Sequence, residues 1–75
     1  MKIRVKLMGM LKVHTPEGGQ MDLPEAATIG DVLAELQVDT KAIQAFSVNG
    51  SIQRDRDTRL SDNDELIVLP PVGGG

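Results

Sequence analysis

Cysteine is absent from the 75-residue chain, which excludes disulfides, thiolate metal sites, thiol nucleophiles and direct thiol redox chemistry. Trp and Tyr are absent too. Phe46 is the single aromatic residue, so the chain lacks the stacking platform used to bind single-stranded nucleic acid. Nor is there an excess of positive charge. Eight Lys and Arg stand against eleven Asp and Glu, a net charge of −3, which argues against a partner held through its phosphate backbone. No apolar run approaches a membrane span, and Met1-Lys2-Ile3-Arg4-Val5-Lys6 alternates where a signal peptide would be continuously apolar. The expectation is a soluble cytoplasmic protein with neither a nucleic-acid nor a membrane partner. With 40% apolar and 25% charged residues the chain has the balance of one globular domain. A domain this short buries only about 60–65% of the surface its unfolded chain exposes, which leaves little room for an enclosed substrate cavity. A complete enzyme is not expected.

What is present is a clear sequence of elements. Lys2 to Leu7 alternates strictly, with Ile3, Val5 and Leu7 on one side and Lys2, Arg4 and Lys6 on the other, the pattern of a strand with one wet face. Gly9 to Gly19 breaks the alternation and reads as a turn and long loop, with room for a helical turn around Met10 to Val13. Alternation resumes at Gln20-Met21-Asp22-Leu23, and Pro24 closes this second strand, which pairs with the first as a hairpin. Ile29, Val32, Leu33 and Leu36 then follow the i, i+3, i+4, i+7 spacing of one helical face. Thr28 is placed to cap that helix, and Asp31 adds negative charge to its first turn.

Lys41 to Ala45 is ambiguous between a helical turn and an approach to the next strand. Ala45 to Val48 and Ser51 to Gln53 flank Asn49-Gly50, the dipeptide best suited to the positive φ angles of a tight hairpin. Leu60 is the apolar anchor after the charged connection Arg54 to Arg59, and Ser61-Asp62-Asn63-Asp64 reads as a turn. Glu65-Leu66-Ile67-Val68-Leu69 carries a continuous apolar run, as a central strand does. A hairpin, a crossover helix and a last strand returning beside the first describe an α+β fold of the β-grasp type, with four to five strands packed on one main helix. The helix would cover Ile3, Val5, Leu7, Met21, Leu23, Val48 and Val68.

The domain thus runs over residues 1–69, and residues 70–75 form a flexible C-terminal tail, Pro70-Pro71-Val72-Gly73-Gly74-Gly75. Two prolines donate no amide hydrogen, so the sheet stops there and the chain leaves extended. Six extended residues reach about 20 Å. Three glycines give a thread without side chains, narrow enough to enter another protein's catalytic channel.

With Thr28-Ile29-Gly30-Asp31-Val32-Leu33, Val48-Asn49-Gly50, Leu60-Ser61-Asp62-Asn63-Asp64-Glu65-Leu66 and the Pro-Pro-Val-Gly-Gly-Gly ending, the chain resembles the ubiquitin-like sulfur carriers. This family comprises the small subunit of molybdopterin synthase (MoaD type) and the thiazole-synthesis carrier (ThiS type). The Pro-Pro-Val step is more similar to the molybdopterin synthase subunit. The resemblance implies a carrier that is itself a substrate. An E1-like enzyme would use ATP to adenylate the Gly75 carboxylate, a sulfur donor would displace AMP, and the thiocarboxylate would supply sulfur for cofactor biosynthesis, with molybdopterin (the molybdenum or tungsten cofactor) the expected product. Gly74, Gly73, Val72 and Pro71 would position the tail in partner channels, and no cofactor would be bound by the chain itself. The partners implied are the activating enzyme and the large subunit of molybdopterin synthase or another sulfur-accepting synthase. A thiazole or cysteine-synthesis carrier, and a ubiquitin-like modifier or interaction module, are the alternatives.

The remaining chemistry-bearing residues favour plainer readings. His14 has no second histidine and no cysteine to work with, so a solvated loop residue is expected. Asp55, Asp57, Asp62 and Asp64 lack the glycine and glutamate spacing of a calcium loop. Gly18-Gly19 is followed by no Gly-Lys-Ser or Gly-Lys-Thr, so it is not a phosphate loop. Lys2, Arg4, Lys6 and Lys12 read first as a wet strand face and second as a surface that steers an acidic partner. Phe46, Ile52, Ile67 and Leu69 exceed what the helix-facing side needs, and are candidates for an apolar docking patch, with Phe46 taken as a partner-binding residue.

Overall fold

Alternation in the sequence becomes alternation in burial. In the computed structural model, which describes residues 1–71, β1 (Lys2–Leu7) buries Ile3, Val5 and Leu7 and exposes Lys2, Arg4 and Lys6. Antiparallel to it lies β2 (Gln20–Asp22), with Ile3 opposite Met21. The helix α1 (Ile29–Leu36) crosses to the far side of the sheet, and β3 (Ala45–Val48), β4 (Ser51–Gln53) and β5 (Glu65–Leu69) follow. The strand order is β2-β1-β5-β3-β4, with β5 parallel to β1 and antiparallel to β3. This is the mixed β-grasp sheet expected from the sequence, with the last strand at its centre.

At eight residues, α1 is too short to hold itself helical in water, so its ends and its buried face must stabilise it. The Thr28 hydroxyl accepts from the Asp31 amide, and the Asp31 carboxylate accepts from the Thr28 amide, a reciprocal capping box. At the other end Gln37 adopts a left-handed φ of 58° and its amide donates to the Ala34 and Leu33 carbonyls. Between these caps Ile29, Val32 and Leu33 are buried and Leu36 packs partly against the core.

Seven side chains, Ile3, Leu7, Ile29, Leu33, Leu66, Val32 and Val68, are fully enclosed. Each contributes about 1.5–3 kcal/mol relative to exposure. The predicted core residues Met21 and Val48 are only partly buried, while Leu11, Ala27, Val38, Phe46 and Leu60 complete the cluster. Leu11 belongs to the stretch expected as a loop. The helical turn for which Met10 to Val13 has room is a 3₁₀ turn over Gly9–His14, a second covers Glu17–Gly19, and together they fold the stretch against the sheet with Leu11 as its apolar anchor. A third 3₁₀ turn, Thr40–Ala42, resolves the ambiguous approach to β3, where Asp39 accepts from the Lys41 amide.

The hairpin between β3 and β4 turns at Asn49 and Gly50, with φ of 52° and 87°, as the Asn-Gly signature predicts. Asn49 also ties this turn to the sheet. Its carboxamide oxygen accepts from the Glu65 amide at 2.9 Å and its nitrogen donates to Asp64 at 2.8 Å. The acidic runs serve the backbone in the same way: Asp62 accepts from the Lys2 amide, Asp64 from Ser61 and Asp55 from Asp57.

Candidate functional site

Because β5 is paired on both sides, the point where it stops is fixed by the sheet. Val68 accepts from the Met8 amide at 3.1 Å, and Leu69 accepts from the Gln44 amide at 2.8 Å. Pro70 and Pro71 then end the hydrogen-bonding pattern. Gly9, at a φ of +56°, lies so close that a Cβ placed on it would meet the Pro70 Cγ at 3.1 Å. The root of the tail is therefore held on one side by the start of β3 and on the other by the turn after β1. Of the predicted tail residues, Pro71 is exposed at this root, while Val72, Gly73, Gly74 and Gly75 lie outside the described residues.

Strand register decides which of the apolar candidates face outward. Lys6, Ile67, Ser47 and Ile52 stand in one row across β1, β5, β3 and β4 on the face opposite α1. Leu69 and Ala45 form the next row towards the tail. Ile52 is 56% exposed, and Ile67 and Leu69 are half-buried, so an apolar strip leads up to the tail root. Arg4 and Lys6 border it, with Arg4 3.9 Å from Glu65 in a solvent-exposed ion pair that contributes about 0–1 kcal/mol.

Phe46 does not belong to this strip. It pairs with Val68 on the inner face, is 4% exposed and is part of the core, which corrects the expectation that it binds a partner. The signal that could have placed it is Val48, expected under the helix two residues on in the same strand and therefore on the same face.

Two open concavities of about 230 and 300 Å³ mark the described surface. The first is lined by Thr40, Ile43, Gln44, Phe46, Arg54 and Arg56, and was not singled out from the sequence. The second lies between Arg4, Lys6 and the Gly18-Gly19 turn. Among the described residues no group of His, Cys, Asp or Glu is placed to hold a metal ion. Among the described residues no helix is long and apolar enough to cross a membrane.

The fold agrees with the comparisons to known proteins. The sequence profile of the ThiS family matches residues 5–75. The chain belongs to the ThiS family. Among solved structures it is similar to molybdopterin converting factor, subunit 1, from Pyrococcus furiosus, at 25% identity over 96% of this chain and 99% of that one, with a TM-score of 0.71. It is also similar to a chain of the Helicobacter pylori complex of subunits 1 and 2 of molybdopterin-converting factor. There identity is 26% over the whole of both chains, and the TM-score is 0.63. Small archaeal modifier protein 1 of Haloferax volcanii shares the fold, with 22% identity, coverage of 95% and 98%, and a TM-score of 0.73. No curated protein sequence matches. As a ThiS family member with MoaD-like neighbours, the chain is one of the ubiquitin-like sulfur carriers, a family of small carriers and subunits.

Proposed function

We propose that this carrier works through a thiocarboxylate at Gly75. Its carboxylate oxygen attacks the α-phosphorus of ATP on an E1-like enzyme and pyrophosphate leaves. A hydrosulfide equivalent from a sulfur donor attacks the acyl carbon, AMP leaves, and the carbonyl retains the sulfur. The sulfur displaces a leaving group from an acceptor carbon, and water then hydrolyses the acyl–sulfur bond, which leaves a thiol on the acceptor and returns the carboxylate. The carrier supplies no catalytic side chain to these steps; its role is to present an unhindered acyl group.

The observation that carries this reading is the anchored end of β5. Leu69 is paired to Gln44, Gly9 packs on Pro70, and Pro71 follows at the surface, so the tail has a fixed origin beside an apolar strip. The strip of Ile52, Ile67 and Leu69 fits docking to a larger protein, whose channel takes the glycines. The pathway we favour is molybdopterin synthesis, with a large synthase subunit as the second partner. Support comes from the two molybdopterin-converting neighbours, one of them in a complex of subunits 1 and 2. Thiazole or cysteine synthesis is served by the same terminal chemistry.

Isotope exchange between pyrophosphate and ATP tests the first step. With an E1-like enzyme from the same host, exchange is expected with the intact chain and lost on deletion of Gly75 or addition of an alanine after it. Exchange that persists in both variants contradicts the assignment. A ubiquitin-like modifier is the second reading, since small archaeal modifier protein 1 has this fold and activation would begin alike. It predicts the chain in isopeptide linkage to lysines of other proteins; a carrier returns to its free carboxylate.

A further inference from the structure

The concavity bounded by Arg54 and Arg56 lies outside the apolar strip, yet it shares the tail's end of the sheet. Gln44 lines it and donates its amide to Leu69, while Gln53, just before Arg54, stands in register with Phe46. Ile43 and Phe46 give it an apolar floor where the core reaches the surface. The backbone beside Arg56 is fixed. Its carbonyl accepts from the Gly30 amide at 2.8 Å, and Thr58 accepts from Ile29 at 3.0 Å, so the connection is tied to the start of α1.

The charges there have no internal counterpart. No carboxylate lines the concavity: Asp39 and Asp55 are engaged by the amides of Lys41 and Asp57, and Asp57, which follows Arg56, is not among the lining residues. Among the described residues neither Arg54 nor Arg56 forms an ion pair. Two guanidinium groups around an open cleft, in a chain of net charge −3, make a local positive centre that an outside carboxylate would complement.

We propose that this cleft docks an acidic segment of a protein partner. A carboxylate of that segment pairs with Arg54 and Arg56, and an adjoining apolar side chain rests on the half-buried Ile43. A protein is favoured over a free anion because the cleft is open, has an apolar floor, and adjoins the tail root, where any protein that takes the tail must arrive. The proposal rests on the carrier reading only for that last point.

The probe is a capped five-residue peptide of alternating glutamate and leucine, titrated into the full ¹⁵N-labelled chain and followed by amide chemical shifts. Shifts are expected at Thr40, Gln44, Arg54 and Arg56. Affinity is expected to fall about tenfold in Arg54→Glu and in Arg56→Glu, to weaken with added salt, and to vanish for a glutamine-for-glutamate peptide. Both side chains are exposed, so unfolding transitions of the variants check that the fold is intact. Shifts centred on Arg4 and Lys6, or an affinity in both variants equal to that of the unsubstituted chain, would overturn the proposal. So would the same shifts from inorganic phosphate alone, which would make the cleft a free-anion site. The titration involves no activation step. Its failure leaves the Gly75 chemistry standing, and loss of pyrophosphate exchange leaves the cleft standing.

Discussion

Phe46 and Ile52 occupy adjoining strands and serve opposite faces of the sheet. Phe46 meets Val68 inside and Ile52 extends the outer row, so truncating each to alanine separates stability from docking. Phe46→Ala is expected to cost about 3–5 kcal/mol in denaturant unfolding. Ile52→Ala is expected to stay within about 0.5 kcal/mol while weakening binding to a large synthase subunit about tenfold, read by calorimetry. Gly9 offers a second separation. Gly9→Ala meets both an unfavourable φ, at about 1 kcal/mol, and the Pro70 ring, which it must displace. The sulfur-transfer rate is expected to drop with the displaced tail root. Adding Pro70→Ala removes the ring and restores the rate, but not the stability lost to φ. A rate that stays low in the double variant would place the effect of Gly9 elsewhere than on the tail.

At the scale of elements, α1 depends on its ends. Thr28→Ala removes one half of the capping box and is expected to cost about 1 kcal/mol. Gln37→Gly relieves a left-handed residue and is expected to raise stability by about 0.5–1 kcal/mol, both measured by thermal unfolding. The capped helix, the alternating β1 and the Asn-Gly hairpin were legible because each repeats a local rule at a fixed spacing. The outward candidates Ile67 and Ile52 were legible as a surplus over what the helix covers. Phe46 was misassigned although Val48, two residues on and expected under the helix, already set its face; the pairing with Val68 shows it. The turn around Met10 to Val13 was legible as room for a helical turn, but the burial of Leu11 was not, since one apolar residue without a period does not reveal what it packs on. The Arg54–Arg56 cleft escaped for a related reason: its walls come from two connections that meet only when α1 holds the second of them by Gly30.

For the whole molecule, fold and terminal chemistry are separate. The core lies within the described residues and β5 ends at Leu69, so loss of Gly75 is expected to leave the unfolding transition unchanged while abolishing activation. This division suits a carrier that must meet several partners with one surface and then offer each the same terminus. On the proposed function, the strip of Ile52, Ile67 and Leu69 would supply contact, the paired end of β5 direction, and the glycines reach. The most direct test is the intact mass of the chain, free of any C-terminal tag, after incubation with its host's E1-like enzyme, ATP and a competent sulfur donor. The account predicts a gain equal to exchanging one oxygen for one sulfur, localised to the C-terminal peptide and absent when Gly75 is removed. An unchanged mass under conditions in which the enzyme and donor modify another carrier would contradict it.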